Sequence, residues 1–454
     1  MGIWRTFLSQ LARVYNALIW SPKPLPLSRT ALMNLPDEVL FAIVQYLQPR
    51  DLISLSSVSI FQNLAHRTLT FAQSCRTLRS LSESSILFWK HAVIPGLLPR
   101  LTPIHDLSPR ELRLATSRAC HNRLLNSKHA QGPFSTRSIT FDGVIYPNSE
   151  TLIDGAGLFI CLLGATEDTA QELICVDVRR GLVVGRQILD FKLSKYFVGA
   201  ELISSTQFRV AVSGERLLDH RFIETHIFSC HIVQSDESSA AVVWSPSGKF
   251  RAALGDEHEV TVSKARLLGN TLFFIQQSDD GSQNMAVLGI PNPDTGATDD
   301  FEVMEKVEVS VEIPLLGQPQ VTPASFDQGC MAWRRGSACD SGMWLLSGPR
   351  QESVGCSEKV KLLPDRVEIG AIKVSNLLER VEVSGDHIWA IDQETLCVFE
   401  KQADDFIAHR VHGVDLGVFE AVDVDVGVVC IGGYRISGSR PVSCMDMYWY
   451  TPYY

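Results

Sequence analysis

Three pairs of adjacent aspartates, Asp279/Asp280, Asp299/Asp300 and Asp404/Asp405, and the alternating pair Asp423 and Asp425 are the residues best suited by type and spacing to do chemistry. Paired carboxylates work as general acid and base, or hold a cation, when they converge on one point. Adjacent residues in solvated turns point apart instead, so turn chemistry accounts for the three adjacent pairs. Asp423 and Asp425 ahead of Gly427 match the opening of a calcium loop. The third ligand and the distal Glu are missing and valines alternate with the acids, which predicts strand residues with outward carboxylates.

The remaining chemical signals are weaker. Gly155-Ala156-Gly157 lacks the rest of a dinucleotide fingerprint, and no GxxxxGK[ST], HExxH or GxSxG occurs. The 12 histidines show no ligand spacing, and His387 beside Trp389 reads as part of a strand. The 11 cysteines are scattered singly, at 75, 120, 161, 175, 230, 330, 339, 356, 397, 430 and 444. Buried thiols in a reducing compartment are expected from that pattern, hence a cytoplasmic or nuclear protein. No catalytic residue, metal or cofactor is expected.

What could position a binding function is organised by charge. The chain of 454 residues is long enough for two or three domains, and its 45% hydrophobic and 20% charged content is that of a globular protein. The net charge of −10 divides unevenly: residues 1–130 carry 15 Lys+Arg against 6 Asp+Glu, a net +9, leaving 26 against 45, a net −19, for the rest. Such a front and back suit different partners, and the acidic part is a poor binder of nucleic acid. No uninterrupted apolar run reaches the roughly 18 residues of a membrane-spanning helix.

Residues 1–20 (MGIWRTFLSQLARVYNALIW) place Trp4, Phe7, Leu8, Leu11, Val14, Tyr15 and Leu18 at helical spacing, an amphipathic helix. No acidic residue precedes Asp37, and aromatics sit at both ends, so either docking on protein or peripheral membrane contact fits. MGIWRT also fits the acceptor pattern for myristate on Gly2. A proline-rich spacer, residues 21–26 (SPKPLP), ends this segment.

Ahead of residues 35–59 (LPDEVLFAIVQYLQPRDLISLSSVS), Asn34 is placed to cap a helix. Pro36 suits an early helical position, and Asp37 and Glu38 complement the first-turn dipole. Val39, Leu40, Ile43, Val44 and Leu47 then make one apolar face, Pro49 ends it, and a short second helix follows with Leu52, Leu55 and Val58 inward. A Leu-Pro pair, a helix with paired aliphatics, a turn with Pro, Asp-Leu, a short apolar helix and closing aromatics Phe88 and Trp89 together resemble an F-box over roughly residues 32–90. The resemblance implies a three-helix module that docks on the Skp-family adaptor of a cullin-RING ubiquitin ligase. It makes Leu35, Pro36, Leu40, Ile43, Leu52, Leu55, Val58 and Trp89 the adaptor-binding or module-core positions.

The third helix of that motif aligns twice, with residues 58–67 (VSIFQNLAHR) and with residues 74–90 (SCRTLRSLSESSILFWK). Only the second is followed at the expected distance by Trp89. Residues 59–74 are either a genuine lengthening or a retained intron in the gene model.

Residues 108–125 read as one more amphipathic helix, capped by Ser108 with Pro109 and Glu111 in its first turn. Beyond residue 138 the period switches to two. Strands are expected at 158–163, 172–178, 208–212, 222–233, 272–276, 307–313, 387–392, 396–400 and 422–428, with turns at 278–282, 293–297, 383–386 and 431–433. Many short strands need closure or radial repetition to manage their edges. The expected fold is therefore α+β and multidomain, a helical F-box module followed by a large all-β domain, a six- or seven-bladed β-propeller, with a β-sandwich pair as the alternative. The expected domains are 1–28, an N-terminal helix and spacer; 29–94, the F-box module; 95–137, a helical linker; and 138–454, the β domain. The function expected is a non-catalytic substrate receptor of an SCF-type ligase, with Skp-family adaptor, cullin and a target protein as partners. The alternative is a scaffold, membrane-associated or not, whose F-box-like helices only pack.

Overall fold

The computed structural model describes Phe41, Val44, Leu52, Ile53, Ser56 and residues 79–90, 93–94, 97–98, 104–125, 131–164, 170–191, 193–204, 206–216, 219–236 and 239–253, then the strands given below to residue 392, and residues 394–402, 405–437 and 440–452. It divides into two compact units, Met1–His121 and Asn122–Tyr454. The described residues are mostly β-strand with few helices.

In the first unit, α1 (Pro109–Cys120) begins as its sequence dictates. Ser108 accepts from the Glu111 amide at 3.3 Å, and Glu111 accepts from the Ser108 amide at 2.7 Å, a reciprocal capping box behind Pro109. Leu112, Ala115 and Thr116 form its buried stripe. The helix stops five residues short of the expected end at 125. Asn122 donates its side-chain amide to the Val424 carbonyl at 2.6 Å, and the Arg123 amide donates to the Tyr450 carbonyl at 2.8 Å, so hydrogen bonds to distant chain replace the helical ladder. A short 3-10 turn, Arg123–Leu125, follows. Among the described residues no helix is long and apolar enough to cross a membrane.

Among the described residues the second unit holds six sheets. Strand β1 (Ser135–Thr140) comes first but belongs to the last sheet. The first sheet runs β2 (Ile145–Ile153), β3 (Leu158–Leu163), β4 (Glu172–Asp177), β5 (Leu182–Ile188). The second is β6 (Leu193–Ser204), β7 (Gln207–Arg216), β8 (Asp219–Asp236) and β9 (Ser239–Ala253). The third contains β10 (Thr261–Leu268), β11 (Thr271–Gln277) and β12 (Gln283–Gly289). Next in the chain come β13 (Glu302–Met304), which pairs parallel with β9, and β14 (Val307–Ser310), which completes the third sheet beside β12. The fourth has β15 (Val321–Asp327), β16 (Cys330–Arg335) and β17 (Met343–Ser347); β18 (Val360–Lys361) then pairs parallel with β14. The fifth is β19 (Val381–Ser384), β20 (His387–Asp392), β21 (Thr395–Gln402) and β22 (Asp405–Arg410). The sixth joins β23 (Phe419–Asp423), β24 (Val428–Ser437) and β25 (Arg440–Trp449) to β1, which pairs antiparallel with β25 from Ser135↔Trp449 to Thr140↔Cys444.

Strand β2 lies beside β6, β6 beside β10, β10 beside β15 and β15 beside β19, and β23 lies beside β2. The fifth and sixth sheets share one core, in which Trp389, Leu396 and Val398 pack with Val422, Val429 and Tyr450. Strand β3 is buried along its whole length, as a continuous apolar run between covered faces should be.

One strand reading and one turn reading need correction. Residues 422–428 are not one strand: β23 ends at Asp423, a turn occupies 424–427, and β24 starts at Val428. Gly427 holds φ +75°, which breaks the extended path that the Val/Asp alternation imitates. Residues 431–433, expected as a turn, lie inside β24, where Gly432 faces the Phe419 ring so closely that a Cβ would overlap it. The expected turns at 278–282 and 293–297 lie outside the described residues.

Candidate functional site

Of the expected adaptor-binding positions, Leu52 and Trp89 are described and both are buried. Val44, Phe88, Leu97 and Leu98 are buried as well. The Trp89 indole donates to the Ser82 carbonyl at 2.8 Å and meets the Phe88 ring edge-on, with centroids 4.9 Å apart. The indole N–H thus enters the core satisfied, the condition for burying it at small cost. Ser56 and Ser82, also buried, donate to the carbonyls of Ile53 and Arg79 at 2.9 and 2.7 Å. Leu87 between the aromatics is half exposed. Leu35, Pro36, Leu40, Ile43, Leu55, Val58 and Gly2 lie outside the described residues, as do residues 1–20 and 59–74.

A buried polar cluster in the β unit gathers where β2, β19 and β23 end. Ser384 donates its hydroxyl to Asp154 at 2.8 Å and accepts the Val424 amide at 3.1 Å. Asp423 is fully buried, correcting the expectation of an outward carboxylate. It accepts the Val426 amide at 3.0 Å, while its own carbonyl accepts the Gly427 amide. Burial first, and the charge of Asp425 second, push the Asp423 carboxyl up to about 7, against the pull of the Val426, Gly155 and Gly157 amides. Asp425 lies 3.7 Å from Nδ1 of His387.

A signal in the sequence could have revealed this turn. Residues 176–181 read VDVRRG and residues 422–427 read VDVDVG, and both fold alike. Asp177 accepts the Arg179 amide at 3.0 Å, its carbonyl accepts the Gly181 amide at 2.8 Å, and Gly181 holds φ +62°. The aspartates are turn-formers with inward side chains.

Other titratable groups are arranged for packing. Burial raises the thiols of Cys161, Cys230, Cys397 and Cys430 above their usual range, the reverse of what a nucleophilic thiolate needs. His226 stacks on Phe191, and burial with the nearby Lys249 charge pulls its pKa down to about 4. Among the described residues no three His, Cys, Asp or Glu side chains gather as a metal site.

Residues 32–59 match the family model F-box-like. The match ends at the point where the two alignments of the third helix diverge. No curated protein matches the chain. Among solved structures it is similar to a Trypanosoma rangeli sialidase, at 10% identity and a TM-score of 0.37, over 70% of this chain and 58% of the sialidase. It is also similar to the AfRom2 CNH domain, at 8% identity and a TM-score of 0.30, over 69% of this chain and 97% of that one. A chain of a nidogen/laminin complex matches at 10% identity and a TM-score of 0.29, over 58% of this chain and 79% of that one. The protein is thus one that carries an F-box-like module ahead of a β-rich unit.

Proposed function

We propose that this chain is a substrate-receptor subunit of an SCF-type ubiquitin ligase, docking on the Skp-family adaptor through residues 32–59 and holding a target protein on its β unit. The F-box-like match carries the reading. The β unit is read as a six-bladed propeller. Six successive sheets among the described residues, the neighbouring of β2, β6, β10, β15 and β19 in that order, and the pairing of β1 with β25 support it over a sandwich pair. The mechanism is proximity: a target held beside a ligase-bound conjugating enzyme has its lysines at high effective concentration, with no residue here acting as acid, base or nucleophile. The net −19 of residues 131–454 suits basic target segments.

Affinity purification of the full chain tests this. Skp-family adaptor and cullin should co-elute, and Leu35→Ala with Pro36→Ala should remove both. Their absence from the wild-type eluate sinks the ligase reading. The second reading, a scaffold whose helices only pack, draws support from the burial of Leu52 and Trp89. It predicts that the double variant changes nothing in the eluate.

A further inference from the structure

We propose that the outer edge of β5 is a docking strand for an extended, aliphatic peptide segment of the target, which adds to the first sheet by backbone pairing. The proposal rests on the reading of the β unit as the target-holding part.

An outermost strand leaves every second N–H and C=O unpaired along one side, and only another extended backbone matches that row. This chain uses such addition twice. In the second sheet β13 pairs parallel on the outer edge of β9, through Glu302↔Phe250 to Met304↔Ala252. In the third, β18 pairs parallel on the outer edge of β14. Strand β5 occupies the equivalent place in the first sheet, and among the described residues no strand pairs with its outer edge.

The side chains say what would lie there. Proteins protect bare edges with charge. Of the outer strands whose side chains are described in whole or part, β1 is polar (STRSIT), and β22 carries His409 and Arg410 and is approached by residues 123–125. Strand β5 (LVVGRQI) has one charge, Arg186, and its guanidinium already sits 3.0 Å from Glu172. Leu182 and Ile188 at its two ends are 56% and 66% exposed. At its middle, a Cβ on Gly185 would come within 2.7 Å of Val242, so one face of β5 is pressed on β9 and the strand is held firm. A rigid, charge-compensated edge with aliphatics at both ends favours an uncharged extended partner.

The probe is a phage-displayed library of random dodecapeptides selected on the full chain, with amide hydrogen exchange locating the bound peptide. Selected peptides should be rich in Val, Ile and Thr, and should slow exchange in residues 182–188 by about tenfold or more. Leu182→Lys with Ile188→Lys should weaken their binding about tenfold or more, leaving the thermal midpoint and adaptor co-elution unchanged. Failure to select peptides, protection elsewhere, or unchanged binding by the double variant overturns the proposal. So does sedimentation showing a wild-type dimer that the variant abolishes, since a second copy would then own the edge. Loss of adaptor co-elution in wild type would instead sink the ligase reading, which the peptide arm does not touch.

Discussion

Ser384 and Asp154, 230 positions apart in the chain, are joined by a 2.8 Å hydrogen bond, and the same Ser384 oxygen accepts the Val424 amide. One buried hydroxyl thereby ties the first, fifth and sixth sheets. Ser384→Ala leaves a carboxylate oxygen and an amide without that partner, which costs about 1–3 kcal/mol. The expected result is a lower thermal midpoint by calorimetry. An unchanged midpoint would show that the tie is dispensable.

Asn122 and Gly427 form a second tie. The Asn122 side chain donates to Val424 and accepts the Leu124 amide at 3.0 Å. A Cβ on Gly427 would meet Thr451 at 2.6 Å and Asn122 at 2.9 Å, at a φ that L side chains rarely adopt. Asn122→Ala should cost about 1–3 kcal/mol in denaturant unfolding. Gly427→Ala should cost at least about 1 kcal/mol from backbone strain alone, before the clash. Equal stability of either variant with wild type would contradict the geometry.

Asp423 should make the stability of the β unit fall as pH rises. A buried carboxyl whose folded pKa is raised from 3.8 to about 7 binds its proton more tightly folded than unfolded. Its contribution is fully present below about pH 4 and is lost as pH climbs through about 7. His226 acts oppositely: lowered from 6.5 to about 4, its contribution is present above 6.5 and lost as pH falls toward 4. Thermal midpoints from pH 4 to 8 separate them. Asp423→Asn, which resembles the protonated acid, should remove the decline near neutrality, and His226→Phe should remove the acid-side loss. Profiles parallel to wild type would refute both assignments.

Legibility followed the range of the forces involved. Strands β3 and β20 begin and end where their apolar runs do, because each run is bounded by turn-forming residues. The start of α1 was equally plain, since Ser108, Pro109 and Glu111 are local signals. Its end was not, because the partner of Asn122 lies 302 positions away. The pairing of β1 with β25, beginning at Ser135↔Trp449, was hidden for the same reason. The inward Asp423 was misread from valine alternation, although the kinship of VDVRRG and VDVDVG was open to view.

Trp89 and Leu35 separate packing from docking. Trp89 is buried, holds Ser82 through its indole N–H and packs edge-on against Phe88, so Trp89→Ala should empty a large core site at about 3–5 kcal/mol. The helical unit should then lose ellipticity and thermal stability, and adaptor binding would fall because the module no longer holds its shape. Leu35→Ala with Pro36→Ala alters the opening of the F-box-like match. If those residues face an adaptor, binding should fall at least tenfold, about 1.4 kcal/mol, with ellipticity and midpoint kept. Melting of the double variant like Trp89→Ala would place Leu35 and Pro36 in the core, and unaltered binding with a sound fold would leave the module a packing element.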